Sequence, residues 1–348
     1  LFGKEAEGIQ SASLATIPGE EGFYLGGVKN DSALIIRFNA QGKVQWAKTL
    51  DVVPNLKDNI NSLFVDSDHM LVVGGTNGPL GVGQGGPVFI LKYDPQTDQV
   101  IWATELVPEV NRSYCWTVIE LGPGDNYLMS NNPTDDVTPN VDAELIEIAR
   151  NSGLPVLGKG KRIHVGGSED ITNLLLHEGS LYGTGRFTDG LPNNKMRTAL
   201  IKMDAGDRTL DWVKLGHQPQ SQNARLYGVD LILEGDFIYV CSLGDPMGTS
   251  TTNTKLFVQK FTLDGTLLWL KGYDFPGNND WGYEMIGLPD GMVIMGGQKA
   301  APQQFILFKI NYDGELTWAS TFPTGEAINP VSPLIGDSQL IRAGDKFV

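Results

Sequence analysis

Little in this chain invites covalent or metal chemistry. It has two cysteines, Cys115 and Cys241, and four histidines in 348 residues. The cysteines form no CxxC pair and the histidines are scattered, so no zinc or haem spacing is present. Two buried free thiols are the expected state. Positive charge is also scarce. The 26 Lys and Arg stand against 41 Asp and Glu, a formal net charge of −15. A phosphate backbone needs a basic face, so a nucleic-acid partner is excluded, as is docking on an anionic membrane surface. No apolar run reaches about eighteen residues, so no helical membrane insertion is expected. No stretch carries a helical period of useful length. Glycine, by contrast, is abundant at 43, as turn-rich β structure requires.

What is present is a repeated sentence. Residues 88–106 read VFILKYDPQTDQVIWATEL: an apolar strand, a turn at 94–98, and a strand carrying Trp102. The pattern returns at 33–50, 199–215, 256–273 and 305–322, with a degraded copy at 144–163 where Val156 takes the Trp position. Anchored on Trp46, Trp102, Val156, Trp212, Trp269 and Trp318, the steps are 56, 54, 56, 57 and 49 residues. Upstream of each hairpin lies a second pair of short apolar runs joined by a tight turn, as at 13–27 and 62–75. Each unit therefore supplies four antiparallel strands, A to D in chain order. A period near this length with four strands per unit is the mark of a β-propeller blade.

The fold class expected is all-β, a β-propeller of four-stranded antiparallel blades near 9–50, 60–106, 114–163, 170–216, 225–273 and 282–322. Residues 331–348 read as strands A and B of a further repeat. Six full repeats and a partial seventh follow, with seven blades favoured and six the alternative. Leu1-Phe2-Gly3 matches the end of a strand D. The whole chain is therefore expected to be one propeller domain cut from a longer chain, with 1–4 pairing against the tail. The Trp series is expected to be largely buried between blades. The glycine pairs Gly26-Gly27, Gly74-Gly75 and Gly296-Gly297 mark places where backbones crowd or φ turns positive.

The short apolar strand, the D-x-x-G-type turn and the Trp strand resemble the β-propeller repeats of bacterial secreted and cell-surface proteins, especially tandem-blade ones. The resemblance covers essentially the whole chain. The spacing Asp94, Thr97, Trp102 is similar to the tryptophan-docking repeat of quinoprotein propellers, departing from it at Asp98, where that pattern has Gly. The resemblance implies the fold, an extracellular or cell-surface location, and flanking domains of the same parent chain as partners. It carries no catalytic residue across.

In a propeller the B–C and D–A connections share one face. Here they are the long ones, and binding usually lives in loops on a rigid scaffold. The A strands start at this mouth. Their first residues include Asn59 and Asn61 in the second repeat, and Arg112, Tyr114 and Trp116 in the third. Asp170 stands in the fourth, with Asn223, Arg225 and Tyr227 in the fifth and Asp280, Trp281 and Tyr283 in the sixth. Aromatic faces beside Asn, Asp and Arg suit a protein or glycan ligand. No Ser-His-Asp set, nucleophile elbow or cofactor motif is readable. Asp135-Asp136, with Asn131, Asn132 and Asp142, is the candidate Ca²⁺ loop, but it lacks alternating ligand spacing and reads as a solvated acidic loop. The sequence thus points to a non-catalytic binding or structural module, with a lyase or hydrolase acting at the channel mouth as the alternative.

Overall fold

The computed structural model describes residues 10–29, 31–52, 58–78, 86–106, 113–133, 142–165, 167–188, 196–216, 225–245, 255–275, 280–298, 304–323, 342–343 and 346–347. Most B–C and D–A connections lie outside these. No helix occurs among the described residues.

Contacts divide the chain into two compact units, Leu1–Ile163 with Leu334–Val348, and His164–Pro333. The first unit holds three four-stranded antiparallel blades. Blade one is β1 (Gln10–Thr16), β2 (Phe23–Lys29), β3 (Ser32–Phe38) and β4 (Val44–Leu50). Blade two is β5 (Asp58–Val65), β6 (Leu71–Asn77), β7 (Val88–Asp94) and β8 (Gln99–Leu106). Blade three is β9 (Cys115–Glu120), β10 (Tyr127–Asn131), β11 (Ala143–Ile148) and β12 (Lys161–Ile163).

The second unit repeats the plan. Blade four is β13 (Glu169–His177), β14 (Ser180–Thr188), β15 (Met196–Asp204) and β16 (Leu210–Leu215). Blade five is β17 (Arg225–Glu234), β18 (Phe237–Asp245), β19 (Lys255–Thr262) and β20 (Leu267–Tyr273). Blade six is β21 (Asp280–Leu288), β22 (Gly291–Gln298), β23 (Gln304–Ile310) and β24 (Leu316–Pro323). The repeat boundaries read from sequence agree with these strands to within two residues.

The described residues thus form six four-stranded blades, where the sequence favoured seven. The tail adds only β25 (Arg342–Ala343) paired with β26 (Lys346–Phe347), a two-stranded ladder and not a four-stranded sheet. The remainder of 331–348, and the pairing expected of 1–4, lie outside the described residues.

Composition explains the strand order within a blade. Strands B and C are nearly continuous apolar runs, and β6 and β7 are buried along their whole length. Sheets buried on both faces read this way. Strand D alternates half-buried and exposed positions, as in β4 and most of β8, because it is the outer edge strand. Each D strand holds its Trp in one register. Arg37 faces Trp46, Lys92 faces Trp102, Lys202 faces Trp212, Lys260 faces Trp269 and Lys309 faces Trp318, with a bulge next to each pair. Val156 keeps that position, its N–H donating to the Glu147 carbonyl at 2.8 Å.

The expectation that these tryptophans are largely buried needs correction. Trp46, Trp102, Trp212 and Trp269 are half-buried, and Trp318 is 36% exposed. A ring on an edge strand lies across the rim of the gap between blades, not inside it. Trp46 meets Tyr24 of its own blade and Tyr93 of the next, with ring centroids at 5.7 and 6.3 Å. Trp102 meets Tyr127 at 6.1 Å and donates its Nε1–H to the Arg150 carbonyl at 2.9 Å. A Cβ on Gly153, Gly265 or Gly314 would strike Trp102, Trp212 or Trp269, respectively, of the preceding blade. These three glycines also have φ of 71°, 80° and 77°, so both conformation and contact demand glycine in the C–D turn. The paired glycines of strand B, in contrast, keep ordinary φ. A Cβ on Gly74 would meet Val118 and Cys115, and one on Gly75 the Phe89 ring.

Candidate functional site

The A strands carry a repeated β-bulge one third of the way along. Opposite strand B the register skips Asn61 in β5, Trp116 in β9, Thr172 in β13, Val229 in β17 and Tyr283 in β21. Bulges re-aim side chains and gather near sites. Two residues earlier, near the start of each A strand, stand Asn59, Tyr114, Asp170, Tyr227 and Trp281. Eight of the residues singled out in the sequence therefore occupy just two equivalent positions: Asn59, Tyr114, Asp170, Tyr227 and Trp281 at one, Asn61, Trp116 and Tyr283 at the other.

The bulge residue also ties neighbouring blades. Asn61 Nδ2 donates to Thr76 Oγ1 at 3.0 Å and across to the Cys115 carbonyl at 2.9 Å. Thr172 Oγ1 donates across to the Gly228 carbonyl at 3.0 Å. Asn59 Nδ2 is spent on the Thr76 and Gly78 carbonyls at 3.2 and 2.8 Å. Asn59 and Asn61 are therefore structural donors first, a role their place in the mouth did not announce.

In unit 1 the mouth is aromatic and carboxamide. Tyr114 and Trp116 are half-buried neighbours, with ring centroids at 6.1 Å and planes at 30°. Tyr114 is fixed by two backbone bonds to Asn132, at 3.2 and 3.0 Å. Among the described residues the buried Trp116 Nε1–H has no acceptor, and the buried Asn61 Oδ1 and Asn131 Oδ1 have no donor. Asn131 Nδ2 donates to Glu144 at 3.1 Å. Cys115 and Cys241 are both free and buried, and burial pushes the Cys115 thiol up. Neither thiol is a nucleophile in that state.

In unit 2 the mouth is charged but internally paired. Asp170 is 1% exposed and bonds the Arg186 guanidinium. That guanidinium lies over the Tyr227 ring, 5.8 Å from its centroid. Burial raises the Asp170 carboxyl above its usual range, and Arg186 opposes the rise only in part. Arg186 was missed in the sequence. The signal available was a lone Arg in the glycine-rich strand GTGRFT. Deeper along β17, Asp230 is buried and accepts three N–H donors. Burial pushes its carboxyl up to about 7.

Arg112 and Asn223 lie outside the described residues. Arg225 opens β17 and is bridged to Met196, and Asp280 opens β21 opposite Gln298. For Arg225, Asp280, Trp281 and Tyr283 only the backbone position is described. Asp135 and Asp136 of the candidate Ca²⁺ loop also lie outside the described residues.

At the other end of the blades a second charged cluster sits between blades two and three. Asp66 is buried against Lys92 Nζ at 2.8 Å, Arg150 Nη2 at 3.3 Å and Tyr127 OH at 2.6 Å. Arg150 also bonds Glu120, and Asp68 at 2.7 Å. Every charge here has an opposite within contact, so the cluster is a clasp between blades and not a reactive site.

No protein-family profile matches this chain, and no curated protein does. Solved structures do. The Dos1 propeller is similar at 12% identity and a TM-score of 0.52, over 91% of this chain and 72% of that one. A neuraminidase-like protein of a flat-faced bat isolate from Peru is similar at 12% identity and a TM-score of 0.51, over 92% and 90%. An ACO/RPE65 chimera is similar at 13% identity and a TM-score of 0.50, over 88% and 70%. At such identities the likeness shows the fold alone. With the blades already described, it makes this chain a β-propeller protein.

Proposed function

We propose that this protein is a non-catalytic binding module whose long-loop face takes a glycan at the mouth of blade three. The reading rests on Tyr114 and Trp116, a half-buried aromatic pair at a bulge. Sugar C–H faces stack on such rings. A protein loop presenting the same chemistry is the other ligand this face suits. The exported or cell-surface location and the flanking domains belong to the same proposal. The test is a glycan array followed by calorimetry on each hit. Tyr114→Ala and Trp116→Ala should each weaken binding at least tenfold with the fold intact by circular dichroism. Binding that survives both substitutions, or an array without hits, defeats the reading.

An enzyme is the second reading. It draws on Asp170 and Asp230, whose carboxyls are both raised by burial. Both are bonded to protein donors, which favours structural roles. A hydrolase or lyase activity that Asp170→Asn abolishes, with a pH profile set by that carboxyl, would reverse the preference.

A further inference from the structure

Among the hydrogen bonds that join adjacent A strands, one has an acceptor of a different kind in a blade pair of each unit. In unit 1, Ser62 Oγ accepts the Val118 N–H at 3.0 Å. In unit 2, Asp230 Oδ2 accepts the Met285 N–H at 2.6 Å. The two bonds are equivalent by register. Ser62 and Asp230 each follow the residue their bulge skips, and Val118 and Met285 each stand two places beyond the skip in the next blade. A neutral hydroxyl does this work in one unit and an ionisable carboxyl in the other.

Asp230 also holds more than Ser62 does. Its Oδ1 accepts the Leu231 N–H at 2.8 Å and the Asn173 Nδ2–H. One carboxyl thus fastens β13 of blade four, β17 of blade five and β21 of blade six. It is 5% exposed. The titratable and charged groups around it are few. Across the ladder in β18 stands Cys241, whose thiol is pushed up by burial and then by the Asp230 charge. In β13 and β14 there are Asp170 and its partner Arg186, nearer the mouth. In β21 Glu284 precedes Met285. On Asp230 itself, burial dominates and raises the carboxyl to about 7, against the lowering effect of the Met285, Leu231 and Asn173 donors.

We propose that Asp230 is a proton-operated joint between blades four, five and six. Ionised, the carboxylate holds all three N–H donors. When it takes a proton from solvent, its new hydroxyl needs an acceptor in a place otherwise supplied with donors. The Asn173 carboxamide turns to offer Oδ1, and the hold on the Met285 N–H weakens because the acceptor has lost its charge. The blade two to three joint, built on Ser62, has no such response.

Amide hydrogen exchange of the whole chain, corrected for intrinsic rates and followed from pH 8 to pH 6, tests this. Protection at Met285 should fall at least threefold with a midpoint near 7, while protection at Val118 stays level. Asp230→Ser, which copies the Ser62 joint, should make Met285 insensitive to pH over the same range. A level Met285 in the unsubstituted protein overturns the proposal without any variant. So does an equal change at Val118, or a Met285 response that persists in Asp230→Ser.

Discussion

Asp66 is the clearest case at the scale of the residue. Its turn, Asp66-Ser67-Asp68, is a short acidic connection between β5 and β6, yet its side chain is closed off between Lys92, Arg150 and Tyr127. Burial works to raise its carboxyl, but the Lys92, Tyr127 and Met70 donors outweigh it and hold the group below its usual value. The folded value therefore lies below the unfolded one. The stabilisation is complete above about pH 4 and is lost as pH falls through the folded value. Denaturant titrations should show stability dropping below about pH 4, and the drop should shrink in Asp66→Asn. Removing Arg150 leaves Asp66 with one cation fewer. Arg150→Ala should cost about 3–5 kcal/mol, the usual penalty for breaking a buried pair. A cost below about 1 kcal/mol would mean that the clasp is solvated. The sequence concealed this cluster because its members lie up to 84 positions apart, at 66 and 150.

At the scale of the element, the unit of design is the contact between a D-strand Trp and the next blade's C–D turn. Two glycines separate its conformational part from its packing part. Gly42 has φ of 72° and open space at its Cβ position. Gly314 has φ of 77°, and a Cβ there would lie 2.7 Å from Lys271 and 3.0 Å from Trp269. Gly42→Ala should cost about 1–2 kcal/mol, the left-handed backbone alone. Gly314→Ala should cost about 1–3 kcal/mol more, because the ring must also move. Equal losses in the two denaturation midpoints would show that the Trp seat carries no load. Trp269→Ala should cost less than the roughly 3–5 kcal/mol of a fully enclosed tryptophan, since the ring is half-buried. The Trp period was plain in the sequence, but its exposure was not. Periodicity locates an edge strand, whereas burial depends on how far the next blade's turn reaches over it.

For the whole molecule, charge is the property that acts everywhere at once. With a formal net charge of −15, the folded chain repels itself. Salt should relieve this, so the melting temperature should rise from about 10 to about 200 mM NaCl as the screening length shortens. A falling melting temperature would mean that ion pairs such as the Asp66 clasp dominate instead. The Asp230 joint should be largely indifferent to salt, being enclosed.

The amino-acid sequence by itself determined the class of structure and the four-stranded plan of each repeat, though not the blade number, for which it favoured seven against the six described. These depend on local alternation and turn chemistry repeated six times, and each copy corroborates the others. It also placed several of the candidate residues near the starts of the A strands, because strand A is identifiable from strand order alone. Only the tertiary structure decided what those residues do. Asn61 faces a carbonyl in the next blade, Asp170 is neutralised by an Arg from strand B, and Asp230 joins three strands distant in sequence. Whether a polar side chain binds a ligand or its own neighbours depends on what lies within about 3 Å of it, and that is set by how blades stack, not by any pattern within one of them.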